Sequence, residues 1–281
     1  MVAGWEWDDT LFSGTAAYYE RGRLPYAPGL ADALAEELRP DGQGRLIDVG
    51  CGPGTIALSL AHLFGEIVGV DPDHGMIAEA GRRAADRGVV KARWVRARAE
   101  ALPAGLGTFA VATFAQSFHW MDQDLVAATV RDMLQPGGAL VHITDLKTKH
   151  RTLDGQPHPA VPYAAVDALV KRYLGPVRRA GRGVLPQGTP GGEAEVFARA
   201  GFSGPRRLVV PGGQALERTF DDVVAWVFSM SFSAPHLFEG QRDDFEEDLR
   251  RLLREASPAG RFSERGPGTE VFVWRKDPSG H

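Results

Sequence analysis

The chain has 281 residues, enough for one large α/β domain with insertions or for one domain with a small cap. Hydrophobic residues make up 43% and charged residues 24% of the sequence, which is typical of a globular protein with a sizeable core. The net charge is −4 and no long basic run occurs, so composition disfavours nucleic acid as a partner. The single cysteine excludes an intramolecular disulfide and leaves too few thiols for a structural zinc site.

No secretory or membrane segment is expected. The residues from Met1 to Asp9 include acidic side chains and no apolar stretch, which disfavours a signal peptide. No apolar run approaches the ~20 residues that are needed to span a bilayer. We therefore expect a cytoplasmic protein that does not use a membrane as its partner.

Apolar periodicity predicts helices and strands that alternate over the first half of the chain. The predicted helices cover Ala27–Leu38, Thr55–Phe64, Asp73–Arg87 and Leu125–Leu134. The predicted strands cover Arg45–Val49, Glu66–Val70, Ala92–Arg96, Phe109–Phe114 and, after a turn at Gln135–Gly138, Ala139–Thr144. This alternation predicts an α/β fold with a doubly wound, mostly parallel sheet.

The alternation is interrupted after Asp145. Further helices are predicted at Ala160–Leu174, Glu193–Ala200, Phe220–Phe232 and Gln241–Glu255, and strands at Arg206–Val210 and Glu270–Trp274. We expect a single domain whose seven-stranded sheet ends in an antiparallel strand. Its expected parts are lid helices in 1–40, a cofactor-binding core in 45–145, and helical cap insertions in 146–192 and 212–267. The insertions are expected over the carboxyl ends of the strands, where ligands bind in such sheets.

The strongest signal is a glycine loop, Leu46-Ile-Asp-Val-Gly-Cys-Gly-Pro-Gly-Thr55. A strand enters a turn whose glycines let the backbone approach a ligand closely, and a helix then begins with free N–H groups. Asp71 ends the next strand, where a carboxylate can accept hydrogen bonds from both hydroxyls of a ribose. A dinucleotide loop of the form G-x-G-x-x-G would need glycine at Thr55, so the spacing disfavours a dinucleotide. The structural alternative makes Asp71 a helix N-cap.

The ordered set of motifs resembles the class I S-adenosylmethionine-dependent methyltransferases. The segment Asp48–Thr55 resembles the first motif of that family, and the resemblance continues through VGVD at Asp71 and AEALP at Pro103. It extends to Phe114–Trp120 and to LQPGG at Gly138, and it covers roughly residues 12–145. The His119-Trp120 pair is similar to that of trans-aconitate methyltransferase-like members. The resemblance implies a Rossmann-like methyltransferase fold, with S-adenosylmethionine as cofactor and S-adenosylhomocysteine as product.

The resemblance also implies which positions contact the cofactor. They are Tyr18, Arg23, Asp48, Gly50, Cys51, Gly52, Gly54, Asp71, Pro72, Met76, Arg98, Ala99, Glu100 and Gln116. Arg21 is the alternative to Arg23 for the methionine carboxylate, and either tyrosine of Tyr18-Tyr19 can instead pack at the sheet edge. Cys51 is expected to pack rather than to act as a nucleophile.

One departure from the family pattern concerns the adenine. The family often has an acidic residue at the position of Arg98, so the usual partner of the adenine amino group is missing. We expect the Ala99 backbone to hold the ring edge, with Arg98 covering the ring or Glu100 substituting for the acid. The alternative is a surface loop with solvated charges.

The acceptor side is expected to include Tyr19, His119 and Trp120. His119 is the candidate general base for a hydroxyl or amine, since an unperturbed histidine pKa of about 6.5 suits that role. The alternative is that His119 and Trp120 only shape the loop. A basic stretch (Lys171, Arg172, Arg178, Arg179 and Arg182) can bind an anionic ligand, although a solvated helix flank is the simpler interpretation.

Other chemistry finds little support. His142 and Asp145 point to opposite faces of a strand, so no metal site is expected. No G-x-S-x-G nucleophile elbow occurs. We predict a methyltransferase that acts on O, N or C of a small molecule, in natural-product biosynthesis for example, as a monomer or homodimer. The alternatives are a nicotinamide-dependent oxidoreductase and a non-catalytic cofactor-binding protein.

Overall fold

The central feature of the fold is a seven-stranded sheet. A computed structural model of the protein describes residues 8, 10–146, 155–180, 183–184 and 191–277. The sheet has the order β3-β2-β1-β4-β5-β11-β8. Its strands are β1 (Arg45–Val49), β2 (Glu66–Asp71), β3 (Ala92–Arg96), β4 (Phe109–Ala115), β5 (Leu134–Asp145), β8 (Phe202–Val210) and β11 (Thr269–Lys276).

The strand directions agree with the expected fold class. Strands β1 to β5 pair in parallel, whereas β11 pairs antiparallel with both β5 and β8. The expected doubly wound, mostly parallel sheet with an antiparallel last strand is therefore confirmed. The strand order reverses at β1. Strands β2 and β3 follow on one side of β1, and the chain then crosses to the other side to form β4 and β5. Ligands of doubly wound sheets bind at such a switch point.

The described residues form nine α-helices. They are α1 (Ala16–Gly22), α2 (Leu30–Leu38), α3 (Thr55–Ser59), α4 (His74–Asp86), α5 (Gln123–Met133), α6 (Tyr163–Leu174), α7 (Glu193–Arg199), α8 (Phe220–Phe228) and α9 (Arg242–Ala256). Helix α8 stops short of the predicted Phe232. The Ser229 and Ser233 hydroxyls donate to the carbonyls of Trp226 and Val227 at 2.7 and 2.6 Å, so side chains complete the last turn.

Strand β5 begins earlier than predicted, because the expected turn at Gln135–Gly138 lies inside it. Gly137 has a φ of +75° there, and the pairing with β4 changes register between Phe109 and Val111. A residue without a Cβ adopts this conformation without steric cost. The segment is therefore an irregularity within a strand rather than a connection between elements.

Two apolar clusters cover the two faces of the sheet. One face packs against α5 and α7, through residues such as Val130 and Phe197. The other packs against α2 and α3, through Leu34 and Ile56. Helix α2 therefore belongs to the core, although its first residues, Leu30 and Ala31, also line the cavity described below, as residues of α1 do.

The two inserted segments share a third apolar cluster, called here the cap. It is formed by α6 from the first insertion and by α8 and α9 from the second. The second insertion also contains an antiparallel ribbon of β9 (Ala215–Thr219) and β10 (Arg261–Arg265), and the first contains a short ribbon of β6 (Arg179–Ala180) and β7 (Gly183–Val184). Within the described ranges no helix has both the length and the apolarity to cross a membrane.

Candidate functional site

A cavity of about 770 Å³ opens at the carboxyl ends of β1, β2 and β4. This volume lies within the ~300–1,000 Å³ range of small-molecule sites. Helix α1 and the cap close its other sides. The predicted site residues that line it are Tyr19, Arg23, Asp48, Gly50, Cys51, Gly52, Asp71, Pro72, Met76, Arg98, Ala99, Glu100, Gln116, His119 and Trp120.

The three glycines of the loop are each required, or tolerated, for a different structural reason. A Cβ at Gly50 would lie 2.5 Å from Ser117 Cβ, and one at Gly54 would lie 2.5 Å from Trp94 Cη2. A Cβ at Gly52 would meet no protein atom within 4 Å. Gly52 therefore borders open space, whereas Gly54 makes room for Trp94 and does not line the cavity. The geometry at Gly54 therefore has a packing reason, and the expected contact with a cofactor stays a prediction.

Asp71 directs its carboxylate toward the glycine loop. Its two oxygens accept hydrogen bonds from the Gly52 and Asp73 N–H groups, each at 2.9 Å. The N-cap of α4 is Asp73, whose side chain accepts from the Met76 N–H at 2.9 Å. Asp71 is therefore not the helix cap that the structural alternative required. Burial raises the pKa of Asp71 to about 6, despite the two N–H donors.

Asp48 is a buried acid with an unused oxygen. Its Oδ1 accepts a hydrogen bond from the Thr113 hydroxyl at 2.7 Å, whereas its Oδ2 has no hydrogen-bond partner among the described residues. Only 1% of the residue is exposed, and burial raises its pKa to about 6. A buried carboxylate oxygen without a donor is costly unless a ligand supplies one.

Cys51 lies between the buried acids and has no sign of nucleophilic character. Burial and the nearby Asp71 and Asp48 raise the pKa of its thiol well above the ordinary value. The thiol is therefore protonated at neutral pH and packs beneath the loop, next to Gly69.

The loop after β3 forms one wall of the cavity. Ala99 is buried there, and Glu100 accepts the Asp122 N–H at 2.9 Å and an Arg98 N–H at 3.4 Å. Both carboxylate oxygens of Glu100 thus already have a protein donor. Pro72 and Met76 border the cavity from the start of α4.

Gln116 and Asp145 form a polar pair at the ends of β4 and β5. Gln116 has a φ of +55°, a region that a residue with a Cβ rarely occupies outside functional or strained positions. Its side chain is hydrogen-bonded to Asp145, whose pKa burial raises from the ordinary value. Asp145 was missed as a lining residue, although its position at a strand end could have indicated it.

His119 lies in a short turn of 3-10 helix, Phe118–Trp120, at the cavity wall. Burial lowers the pKa of its imidazole to about 4, and the proximity of Glu193 only partly offsets this. The expectation of a histidine that titrates near pH 6.5 is therefore corrected, because the ring stays neutral across the physiological range. The Trp120 ring is buried against Phe12, with centroids 6.1 Å apart.

Helix α1 separates its predicted site residues. Tyr19 and Arg23 face the cavity, and the guanidinium lies 4.8 Å from the centroid of the tyrosine ring. Tyr18 does not line the cavity, since its ring packs 5.2 Å from that of Phe228 and its hydroxyl accepts from Arg242. Arg21 also points elsewhere, because it pairs with Asp222 at 2.8 Å.

Sequence reasoning missed several cap and lid residues of the cavity wall. Besides Asp145 they include Phe12, Tyr26, Trp226, Met230, Ser231 and Phe232, whereas Arg178 belongs to the basic stretch that the sequence had indicated. They lie in irregular segments or at helix ends, where apolar periodicity gives no indication of a ligand. In the described ranges no three His, Cys, Asp or Glu side chains converge as a metal site would require.

Residues 46–138 match the family model described as a methyltransferase domain. The chain is 34% identical over 138 residues to the malonyl-[acyl-carrier protein] O-methyltransferase of Enterobacter lignolyticus. That match covers 46% of this chain and 52% of the relative, so the chain spans about half the length of that relative.

The chain is similar over a longer segment to the nocamycin O-methyltransferase of Saccharothrix syringae. The two are 28% identical over 207 residues, which covers 70% of this chain and 73% of the relative. Among solved structures, the YcgJ protein of Bacillus subtilis is 18% identical, with a TM-score of 0.50 over 89% of this chain and 98% of the other. The last likeness concerns the fold alone.

Proposed function

We propose that this chain, whose residues 46–138 match the model of a methyltransferase domain, transfers a methyl group from S-adenosylmethionine to a small molecule. The observation that supports this most directly is the pairing of Gly52 with Asp71 at the switch point of the sheet. The backbone of Gly52 borders open space there, and its N–H group donates to the carboxylate that would bind the ribose.

The cavity residues fit the proposed cofactor in two further respects. The unpartnered Oδ2 of Asp48 suits a cationic or N–H donor, such as an ammonium group. The open position at Gly52 would be filled by any side chain, so glycine there is suited to a ligand that touches the backbone.

We assign roles to the lining residues on that basis. Asp71 would bind the ribose hydroxyls, Asp48 the ammonium group, and Arg23 the carboxylate of the methionine moiety. The Ala99 backbone would hold the adenine edge, in place of the acid that is absent at Arg98. When bound, the cofactor supplies an electrophilic methyl group and leaves as S-adenosylhomocysteine.

The chain's own contribution to the reaction is then alignment and exclusion of water. Alignment of two bound reactants is worth ~7–11 kcal/mol of barrier. The cap and α1 would exclude water from the acceptor side, where Tyr19, Trp226 and Phe232 line the cavity. Two relatives are named as O-methyltransferases, one of them after a natural product, which favours a small oxygen-containing acceptor.

Calorimetry of the purified protein with S-adenosylhomocysteine tests the cofactor assignment. Asp71→Ala should weaken binding by about 10- to 150-fold, the equivalent of ~1.5–3 kcal/mol for hydrogen bonds to a charged group. Asp122→Ala removes the N-cap of α5, outside the cavity, and should leave the affinity unchanged. An unchanged affinity in Asp71→Ala would contradict the assignment, as would saturable binding of a nicotinamide dinucleotide.

Methyl transfer itself needs a separate measurement. Incubation of the protein with methyl-labelled S-adenosylmethionine and a metabolite extract should yield a labelled small molecule, detected by mass spectrometry. Cofactor binding without any labelled product from the extract would favour the non-catalytic alternative.

A further inference from the structure

The basic stretch that begins in the last turn of α6 and continues after the helix contains one residue unlike the others. Lys171 pairs with Asp167 at 2.6 Å, and Arg172 pairs with Asp248. Arg179 donates to the Leu174 carbonyl at 3.4 Å. Arg178 alone among these described residues lines the cavity, and Arg182 lies outside the described ranges.

Arg178 has an aromatic neighbour but no acidic partner. Its guanidinium carbon lies 5.0 Å from the centroid of the Phe232 ring. Among the described residues no carboxylate forms an ion pair with it. A guanidinium that lies over an aromatic ring keeps the N–H donors in its own plane available, and a carboxylate can bind two of them.

Among the described residues, the nearby carboxylates of Asp145 and Glu193 form no ion pair with Arg178, although Glu193 is close enough to His119 to favour its protonation. Asp145 is hydrogen-bonded to Gln116 and lies within electrostatic range of Arg23. His119 is near enough for Arg178 to disfavour its protonation. Arg178 thus adds a positive charge to this part of the cavity, which an anionic ligand would balance.

The cavity also has aromatic and other apolar lining residues. Phe12, Trp120, Trp226, Met230 and Phe232 line the cavity. Such side chains favour an aromatic or other planar apolar body over a flexible polar one.

We propose that the acceptor is an organic anion with a planar apolar body, and that Arg178 binds its anionic group. This inference rests on the proposed function, because it names the substrate class of the same cavity. An acceptor that is already ionised needs no strong base, which agrees with the lowered pKa of His119, because burial makes its imidazole a weaker base than an exposed one.

The test uses 2-naphthoate as the anionic probe and 2-naphthamide as its neutral counterpart. Each is titrated by calorimetry into the full-length protein saturated with S-adenosylhomocysteine. We expect the wild-type protein to prefer naphthoate. Arg178→Gln should weaken naphthoate binding at least tenfold, while naphthamide binding stays within twofold.

Arg172→Gln is the matched control, because Arg172 belongs to the same basic stretch but lies on α6 and pairs with Asp248, outside the cavity. It should bind both probes as the wild-type protein does. The inference is overturned if naphthoate binds Arg178→Gln and wild type equally, if wild type prefers naphthamide, or if wild type binds neither probe. Failure of S-adenosylhomocysteine to bind would instead overturn the proposed function. Titration of the two probes into the ligand-free protein would then still measure whether Arg178 contributes to naphthoate affinity.

Discussion

At the level of single residues, Asp48 has an oxygen available for a ligand, and its burial lowers the stability of the folded protein when the carboxyl group is charged. Its folded-state pKa of about 6 is above the ordinary value of 3.8. For an acid with a raised pKa, the associated stability is fully present below about pH 4 and is lost as the pH rises through about 6. Above pH 6 the folded protein therefore holds an unfavourable buried charge, on the order of 3 kcal/mol for two pKa units.

Asp48→Asn should consequently raise the Tm of the ligand-free protein at pH 8, and the gain should shrink toward pH 4.5. Thermal unfolding followed by fluorescence at both pH values measures this. Asp41→Asn is a control of opposite sign, because backbone N–H donors of Gln43 and Gly44 lower the pKa of that exposed carboxyl. A difference between Asp48→Asn and wild type that does not depend on pH would contradict the argument.

The residue scale also shows where sequence reasoning reaches its limit. The glycine loop and Asp71 could be identified because their neighbours along the chain define a strand, a turn and a helix. Tyr18 and Tyr19 could not be separated in this way. Adjacent helical residues point about 100° apart, and only the position of Phe228 on another helix decides which tyrosine faces the cavity.

At the level of elements, the centre of the sheet could be predicted because strands such as β1 and β2 are short apolar runs with turn residues at their ends. The β9–β10 ribbon was missed for the opposite reason. Its strands, ALERT and RFSER, are rich in charge, and their partners lie more than 40 positions apart in the chain. One of these charges, Arg218, is buried, where it pairs with Glu264 at 3.2 Å and donates to the Gly22 carbonyl. This pairing across the ribbon is not visible from local pattern.

Gly22 tests how α1 is attached to the cap. A Cβ at this position would overlap the backbone of Ala225 in α8, which cannot move without displacing the helix. Alanine normally stabilises a helix by ~1 kcal/mol relative to glycine. We expect Gly22→Ala instead to destabilise the protein by about 1–3 kcal/mol and to weaken S-adenosylhomocysteine binding, because α1 also carries Tyr19 and Arg23.

Thermal unfolding and calorimetry together measure both effects. Gly240→Ala is the control in the same cap, since a Cβ there would meet no atom within 4 Å. A Gly22→Ala protein as stable as wild type, with normal affinity, would show that α1 and α8 are not tightly packed in solution.

At the level of the whole molecule, two bodies meet at the cavity. The sheet and its covering helices form one, and the cap with its separate apolar cluster forms the other. Helix α1 contacts both, because Glu20 pairs with Arg83 of α4 at 3.2 Å while Gly22 packs on α8. A cluster that shares one core tends to open and close as a unit in hydrogen exchange.

The last prediction follows from this arrangement. S-adenosylhomocysteine should bind the core side and α1, and the α1–α8 packing should carry the effect into the cap. Hydrogen exchange with mass spectrometry should then show added protection in α8. Through the shared cluster, protection should also increase in α6 and α9, which are not among the helices that line the cavity. In Gly22→Ala at saturating ligand, protection should persist around Gly52 and Asp71 but decline in the cap. Protection confined to residues 45–120 in the wild-type protein would mean that the cap moves independently of the cofactor site, and that α1 does not couple the two.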